Sequence, residues 1–191
     1  MTAPYAWRDR LPLLETPRLR LRATTPEDAP ALLRIFGDPE VMRYWSAPPM
    51  ADLAAAGALL ARIERDFRER THFTWGVAPR EGGELIGTCT LFQLELAHRR
   101  AEVGFALGRA QWGRGLAGET LARVLRFAFE ILDLHRIEAD ADPDNARSLR
   151  LLEKQGFRRE GLMRERWHHL GEVRDGVCLG LLRPEWVGET G

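Results

Sequence analysis

The sequence predicts an α/β (α+β) fold in which a mixed central sheet of about six to seven strands is flanked by about four helices. Segments in which apolar and polar residues alternate are spread along the chain, and one longer segment has helical periodicity. Strands are predicted at residues 18–22, 74–78, 85–94, 101–107, 136–141, 158–167 and 173–182. Three of them precede the long helix in succession, which indicates antiparallel neighbours rather than repeated βαβ units.

Capping residues and apolar periodicity place the helices. Thr25, with Asp28 three residues on, is placed to cap the first helix, which precedes a loop over residues 38–49. Asp52 caps the second helix, and the fourth occupies residues 145–155. The third opens at residues 112–117 and presents one long apolar face: Leu121, Val124, Leu125, Ala128, Phe129 and Leu132. The predicted order is β-α-α-β-β-β-α-β-α-β-β.

Length and charge limit the class of protein. The 191 residues fit one domain, with 16–183 as its core and 1–15 as an N-terminal extension. Lys plus Arg and Asp plus Glu both total 28, and this balance does not favour a nucleic-acid surface. A signal peptide and a membrane-spanning run are not recognisable, so a cytoplasmic protein without a membrane partner is expected. Cys89 and Cys178 are far apart and match no metal spacing, so no metal is predicted.

Two glycines, Gly113 and Gly115, lie between a predicted strand and the long helix. Glycines let backbone N–H groups crowd around a ligand, and a helix N-terminus adds unpaired donors, an arrangement that suits a pyrophosphate. Two glycines before a helix also often form only a tight turn. With Gly118 the spacing formally fits G-x-G-x-x-G, but the preceding strands disfavour a dinucleotide-binding oxidoreductase. A Walker loop is absent from the sequence.

Four segments carry a resemblance to a known family. They are Trp112-x-x-Gly115-x-Ala117, the residues 16–22 and 38–44, and Asn145-x-x-Ser148 followed by Glu153-Lys154-x-Gly156-Phe157. On these residues the chain resembles the GNAT superfamily of N-acetyltransferases over almost its whole length. Within it, the chain resembles the RimJ/RimL-type branch that acetylates N-termini of ribosomal proteins.

The resemblance implies transfer of an acetyl group from acetyl-CoA, as co-substrate, to a primary amine. The implied acceptor is a ribosomal or other protein N-terminus, and a homodimer is a further expectation. Two alternatives stay open: a small amine acceptor, either an antibiotic or a polyamine, and a non-catalytic acyl-CoA-binding module.

The family binds the pantetheine of acetyl-CoA in a V-shaped splay between the fourth and fifth strands, here 101–107 and 136–141, at a bulge. This implies the following cofactor-binding residues: Val103, Phe105, Leu107, Trp112, Gly113, Arg114, Gly115, Leu116, Ala117 and Asn145. An exposed backbone N–H near Phe105 is expected to polarise the thioester carbonyl. Arg109 and Arg147 are further candidates for contacting the 3′-phosphate.

The residues predicted to carry catalysis depart from the common family pattern. Many members have a tyrosine directly before the Glu-Lys pair that protonates the leaving thiolate, and here that position is Leu152. Ser148, one helical turn earlier, is predicted to assist the thiolate instead. Glu102 is predicted to accept the amine proton, directly or through water, with a solvated strand-edge glutamate as the alternative. Tyr44 and Trp45 are predicted to line the substrate cleft or to pack at its rim.

Overall fold

One sheet of eight strands organises the residues that the structure, a computed structural model, describes, which are 9–169 and 171–188. The strands are β1 Leu14–Glu15, β2 Leu19–Arg22, β3 Phe73–Pro79, β4 Gly87–Glu95, β5 Arg100–Leu107, β6 Arg136–Ala141, β7 Arg158–His169 and β8 Glu172–Leu182. Their order is β1-β2-β3-β4-β5-β6-β8-β7, and among these neighbours β5 and β6 form the parallel pair. The predicted mixed sheet is confirmed, and the two-residue strand β1 is added to it.

Within the described residues five helices accompany the sheet, where about four were expected. They are α1 Ala29–Phe36, α2 Pro39–Met42, α3 Leu53–Arg68, α4 Leu116–Arg126 and α5 Ala146–Lys154. The added helix α2 lies in the segment 38–49, which was predicted as a loop. The Asp38 side chain caps it by accepting a hydrogen bond from the Glu40 N–H at 2.9 Å, and Val41 and Met42 are buried. A single turn is too short to show apolar periodicity in the sequence.

The sheet buries apolar side chains on both of its faces. A main core includes α4 and α5, and a smaller core joins α1, α2 and α3 to the sheet. Consecutive residues of β5 point to opposite faces, so Ala106 lies in the smaller core and Leu107 in the main one. The apolar face predicted for the long helix is buried throughout: Leu121, Val124, Leu125, Ala128, Phe129 and Leu132.

The long helix is not α-helical to its end. It was predicted to continue to residue 132, but it widens into a π turn over Phe127–Ile131. Phe127 packs edge-on against Trp75 with ring centroids 5.3 Å apart, and Phe129 packs against Trp186 at 5.2 Å. The π turn accompanies the burial of three consecutive residues, 127–129, which a regular helix would spread around its surface.

The core extends beyond both predicted boundaries. Leu11 and Leu14 are 8% and 2% exposed, and Trp75 Nε1 donates a hydrogen bond to Pro12 O at 2.8 Å. Residues 11–15 therefore pack with the core rather than forming an extension, and Trp186 does so beyond residue 183. The remainder of the predicted extension, residues 1–8, lies outside the described residues.

The strands β5 and β6 diverge after three residue pairs. Residues 100–102 of β5 pair with residues 136–138 of β6, and from there β5 pairs with β4 alone and β6 with β8 alone. The predicted splay between these strands is confirmed. The accompanying irregularity lies in β4, where the register shifts between Phe92 and Glu95. One edge of each diverging strand is left open toward the other.

Candidate active site

A cleft of about 820 Å³ lies between the end of β5, the segment that includes α2, and the N-termini of α4 and α5. This volume is typical of small-molecule and cofactor sites. The cleft brings together most of the residues predicted from the sequence: Tyr44, Trp45, Phe105, Leu107, Trp112, Gly113, Gly115, Leu116, Ala117, Asn145 and Ser148. Segments that are far apart in the sequence therefore meet around one space.

The turn before α4 has a backbone that requires glycine at two positions. Gly113 and Gly115 have φ values of +74° and +77°, a region that disfavours residues with a side chain. Gly115 is the N-cap of α4, so the helix begins with unpaired N–H groups at the cleft. A Cβ at Gly113 would have no heavy atom within 4 Å, which leaves the backbone open to a ligand. Together with the helix dipole, this geometry fits a diphosphate.

Trp112 joins the end of β5 to this turn. Its Nε1 donates a hydrogen bond to Leu107 O at 2.8 Å, and the Arg147 guanidinium lies over its ring at 5.0 Å. The family commonly has Gln or Arg at this position, whereas the indole here lines the cleft and packs against both cores. Trp112 therefore positions the turn as well as forming part of the wall.

The side chains of three residues predicted to bind the cofactor do not line the cleft. Val103 is 3% exposed and packs in the main core, so its side chain does not reach the cleft. Arg114 donates a hydrogen bond to Gln111 Oε1 at 2.6 Å and does not line the cleft. Arg109 is bound to Asp38 Oδ2 at 3.1 Å. The cationic side chains that line the cleft are Arg43, Arg147 and Arg150.

The first turn of α5 presents Asn145 and Ser148 to the cleft. Asn145 Oδ1 accepts a hydrogen bond from the Ser148 N–H at 3.1 Å, as expected of an N-cap. Within the described residues the Ser148 hydroxyl has no hydrogen-bond partner, so it is available to a ligand. Leu152 is 1% exposed and lies in the core. The sequence interpretation missed Arg150, although it follows Arg147 by three residues, the spacing of one helix face.

Glu102 lies outside this cleft, in a smaller cavity of about 190 Å³ at the splay. Glycines on β8 leave room for charged side chains there. A Cβ on Gly176 would lie 2.7 Å from Asp140 Oδ1, and one on Gly180 would lie 2.5 Å from Glu160 Oε1. Glu102 is three residues, or about 10 Å along the strand, from Phe105 at the cleft.

Glu102 differs from the other carboxylates of this cavity in having no ion-pair or hydrogen-bond partner among the described residues. The other two are bound by arginines: Glu138 to Arg100 at 2.9 Å and to Arg136 at 2.7 Å, and Asp140 to Arg166 at 3.1 Å. Burial raises the pKa of Glu102, and the Glu138 carboxylate raises it further against the opposing charge of Arg166. A raised pKa makes this carboxylate a stronger proton acceptor.

The backbone of β5 directs alternate N–H groups to β4 and to the open side. The Gly108 N–H donates to Ile86 O at 2.8 Å on the β4 side, and Arg99 O accepts from the Arg136 N–H at 3.1 Å on the β6 side. The N–H of Phe105 therefore faces the open side, where β6 has diverged. This is the direction that a ligand in the splay would require.

Main-chain N–H groups and guanidinium groups are the donors of the site. Among residues 9–169 and 171–188, no group of three or more His, Cys, Asp or Glu side chains is arranged to hold a metal ion. Over the same residues, no helix is both long and apolar enough to cross a membrane.

Comparison with known proteins identifies the family. Residues 18–158 match the acetyltransferase (GNAT) domain family. The chain belongs to the GNAT acetyltransferase family. The uncharacterized N-acetyltransferase p20 of Bacillus licheniformis is 35% identical to this GNAT enzyme over 175 residues, which cover 92% of this chain and 98% of that protein. The protein is an acetyl-CoA-dependent N-acetyltransferase, as the sequence predicted.

Two further relatives of this GNAT enzyme bear on the donor and the acceptor. The structure of Mycobacterium smegmatis RimJ in complex with CoA-disulfide has a TM-score of 0.82 at 25% identity and covers 94% of this chain and 90% of that one. The spermidine N(1)-acetyltransferase of Vibrio cholerae is 25% identical over 173 residues, which cover 91% of this chain and 98% of that protein. Family membership therefore identifies the donor but not the acceptor.

Proposed function

We propose that this GNAT enzyme acetylates the α-amine of a protein N-terminus, with Glu102 receiving the amine proton. The observation that carries the proposal is Glu102, a half-buried carboxylate at the splay. It has no ion-pair partner among the described residues, whereas arginines bind the carboxylates beside it. Acetyl-CoA supplies the activated thioester. The residues of the chain bind it, orient it and move the proton.

The turn over residues 112–117 holds the diphosphate of acetyl-CoA through main-chain N–H groups in this proposal. Positive φ at Gly113 and Gly115 and the N-terminus of α4 support that role. Guanidinium groups along the cleft add positive charge for the phosphates: Arg43, Arg147 and Arg150. The N–H of Phe105 donates to the thioester oxygen, which gains negative charge as the amine attacks.

The proton leaves the amine toward Glu102, because an amine must be neutral to attack. The approximately 10 Å between Glu102 and Phe105 along β5 favours a relay through water over direct contact. Gly104 lies between them on the same face as Glu102 and has no side chain to block the path. Binding of both substrates beside β5 supplies much of the remaining acceleration by proximity.

The charges at the splay support an acceptor with a single cationic group. A polyamine carries further ammonium groups, and each needs an anion. At the splay Glu138 and Asp140 are bound by arginines, and the further carboxylates, Glu40 and Asp144, lie along the larger cleft. An α-amine has a pKa of about 7.7–8.0, against about 10.4 for an alkylamine such as lysine, so more of it is neutral at physiological pH. Tyr44 and Trp45 offer apolar surface to the residues that follow an N-terminus.

The acceptor is tested by following thiol release from acetyl-CoA with a matched panel. We expect lysine-free peptides with a free N-terminus to react at least about tenfold faster than the same peptides with a blocked N-terminus and than spermidine. Faster reaction of spermidine would identify the acceptor as a polyamine, the acceptor of the Vibrio cholerae relative, and not as an α-amine. Binding of CoA without turnover of any amine would contradict catalysis altogether.

Ser148→Ala is expected to lower kcat by about tenfold or less. The hydroxyl assists a thiolate that is already a tolerable leaving group, since a free thiol has a pKa of about 8.5. The cap of α5 stays intact because Asn145 accepts from the main-chain N–H of residue 148. Single-turnover measurement of thiol release checks this, with Ser148→Thr as the control that keeps a hydroxyl. Equal losses in both variants would contradict a role for the hydroxyl.

A further inference from the structure

Two residues just before β2 bind the first turn of α4, about a hundred positions later in the chain. Glu119 of α4 accepts hydrogen bonds from Thr16 Oγ1 at 2.5 Å, from the Arg18 main-chain N–H at 2.9 Å and from Arg18 Nε at 2.6 Å. Arg18 Nη1 also donates to Arg114 O, in the glycine turn, at 3.0 Å. One guanidinium therefore joins α4 to the turn that precedes it.

The bond from Arg18 to Arg114 O fixes the direction of the next N–H group. In a planar trans peptide, the C=O and the following N–H point in opposite directions. Arg18 does not line the cleft, whereas Gly113 and Gly115 do. The Gly115 N–H consequently points away from Arg18, and Gly115 itself lines the cleft. Without Arg18 this peptide could rotate, because Gly115 follows it directly and Gly113 precedes Arg114, and glycines allow several backbone conformations.

Glu119 places a negative charge in the first turn of α4, close to the helix N-terminus at which an anion would bind. Its side chain is only 14% exposed, and Arg18 balances its charge with a contact of 2.6 Å. Although burial raises the pKa of Glu119, hydrogen bonds from Thr16 and Arg18 outweigh this and hold it below its usual value. The carboxylate therefore stays ionised and keeps its ion pair with Arg18.

We propose that Arg18 and Glu119 are positioning residues for the diphosphate of acetyl-CoA. Glu119 holds the guanidinium, and the guanidinium holds the peptide between Arg114 and Gly115 with its N–H toward the ligand. This rests on the proposed role of the turn over residues 112–117. It also gives a function to the segment 16–22, which the resemblance identified without a role.

The test compares two acetyl donors, acetyl-CoA and S-acetylpantetheine, which lacks the diphosphate. Arg18→Ala is expected to raise the KM for acetyl-CoA about tenfold and to leave kcat/KM for S-acetylpantetheine within about twofold. The variant should fold, because the Arg18 side chain is 52% exposed and the Glu119 carboxylate keeps its hydrogen bonds from Thr16 Oγ1 and from the main-chain N–H of residue 18. Arg20→Ala is the matched control on β2, since Arg20 is paired with Glu15 at 3.3 Å, away from the turn.

Glu119→Ala is the second variant. It should raise the KM for acetyl-CoA and leave the reaction with S-acetylpantetheine nearly unchanged, because it releases Arg18. Tighter binding of acetyl-CoA would instead show that Glu119 only repels the ligand, and equal losses with both donors would show a merely structural role. Either result overturns the inference. If Gly115→Asp does not distinguish the two donors, the proposed diphosphate site itself is wrong. If Gly115→Asp impairs the reaction with acetyl-CoA more than that with S-acetylpantetheine and Arg18→Ala does not, only the positioning role is wrong.

Discussion

Glu102→Gln is expected to lower kcat by about 10²- to 10⁴-fold, the usual effect of removing a positioned base. The KM for acetyl-CoA should change little, because Glu102 lies in the smaller cavity and not in the cleft that would hold the donor. Glutamine has nearly the same shape as glutamate but does not take up a proton. Steady-state kinetics with a peptide acceptor measure both constants.

The pH profile separates loss of a base from loss of structure. Burial and the Glu138 charge raise the pKa of Glu102, so activity should fall as the pH drops through a value above the ordinary range for glutamate. In Glu102→Gln this acidic limb should disappear. Glu138→Gln is the matched control: it removes a neighbouring negative charge, lowers the pKa of Glu102 and should move the limb to lower pH. Near-normal turnover and pH dependence in Glu102→Gln would leave water or another residue as the base.

Most of the strands were predictable because each has its own periodicity and boundary residues. The strand at residues 136–141 was predicted with the bounds that the structure shows. The strand β1 and the helix α2 were missed because they have two and four residues, too few for a period to repeat. The π turn at Phe127–Ile131 was missed because it depends on how two aromatic rings pack against β3 and the C-terminal segment.

The site was predictable where its parts are contiguous in the sequence. The turn at residues 112–117 and the cap at Asn145 are local structures, and both lie at the cleft. The side chain of Val103 lies on the same face of β5 as Phe105 and Leu107, but it is buried in the main core, which alternation alone does not show. The bond between Arg18 and Glu119 joins residues about a hundred positions apart, and no local pattern indicates it.

Gly115→Asp is expected to weaken CoA binding by at least about 100-fold. Residue 115 has a φ of +77°, a left-handed conformation that costs a residue with a side chain about 1–2 kcal/mol. The new carboxylate would also stand at the N-cap of α4, where the donors proposed for the diphosphate lie, and would repel it. The turn of the free variant relaxes out of this strained conformation and CoA binding must restore it, so that this cost and the repulsion together reach about 2.7 kcal/mol, which corresponds to the expected loss. Calorimetric titration with CoA measures it directly.

Two control variants separate the backbone strain at residue 115 from the charge repulsion. Gly115→Ala has the same backbone strain without the charge, so it should lose less affinity than Gly115→Asp, and the difference should shrink at high salt as the repulsion is screened. Gly82→Asp adds the same charge at another positive-φ glycine, with φ +103° and no heavy atom within 4 Å of a Cβ, away from the cleft. It should bind CoA normally. Unchanged CoA affinity in a folded Gly115→Asp variant would mean that the diphosphate is held elsewhere.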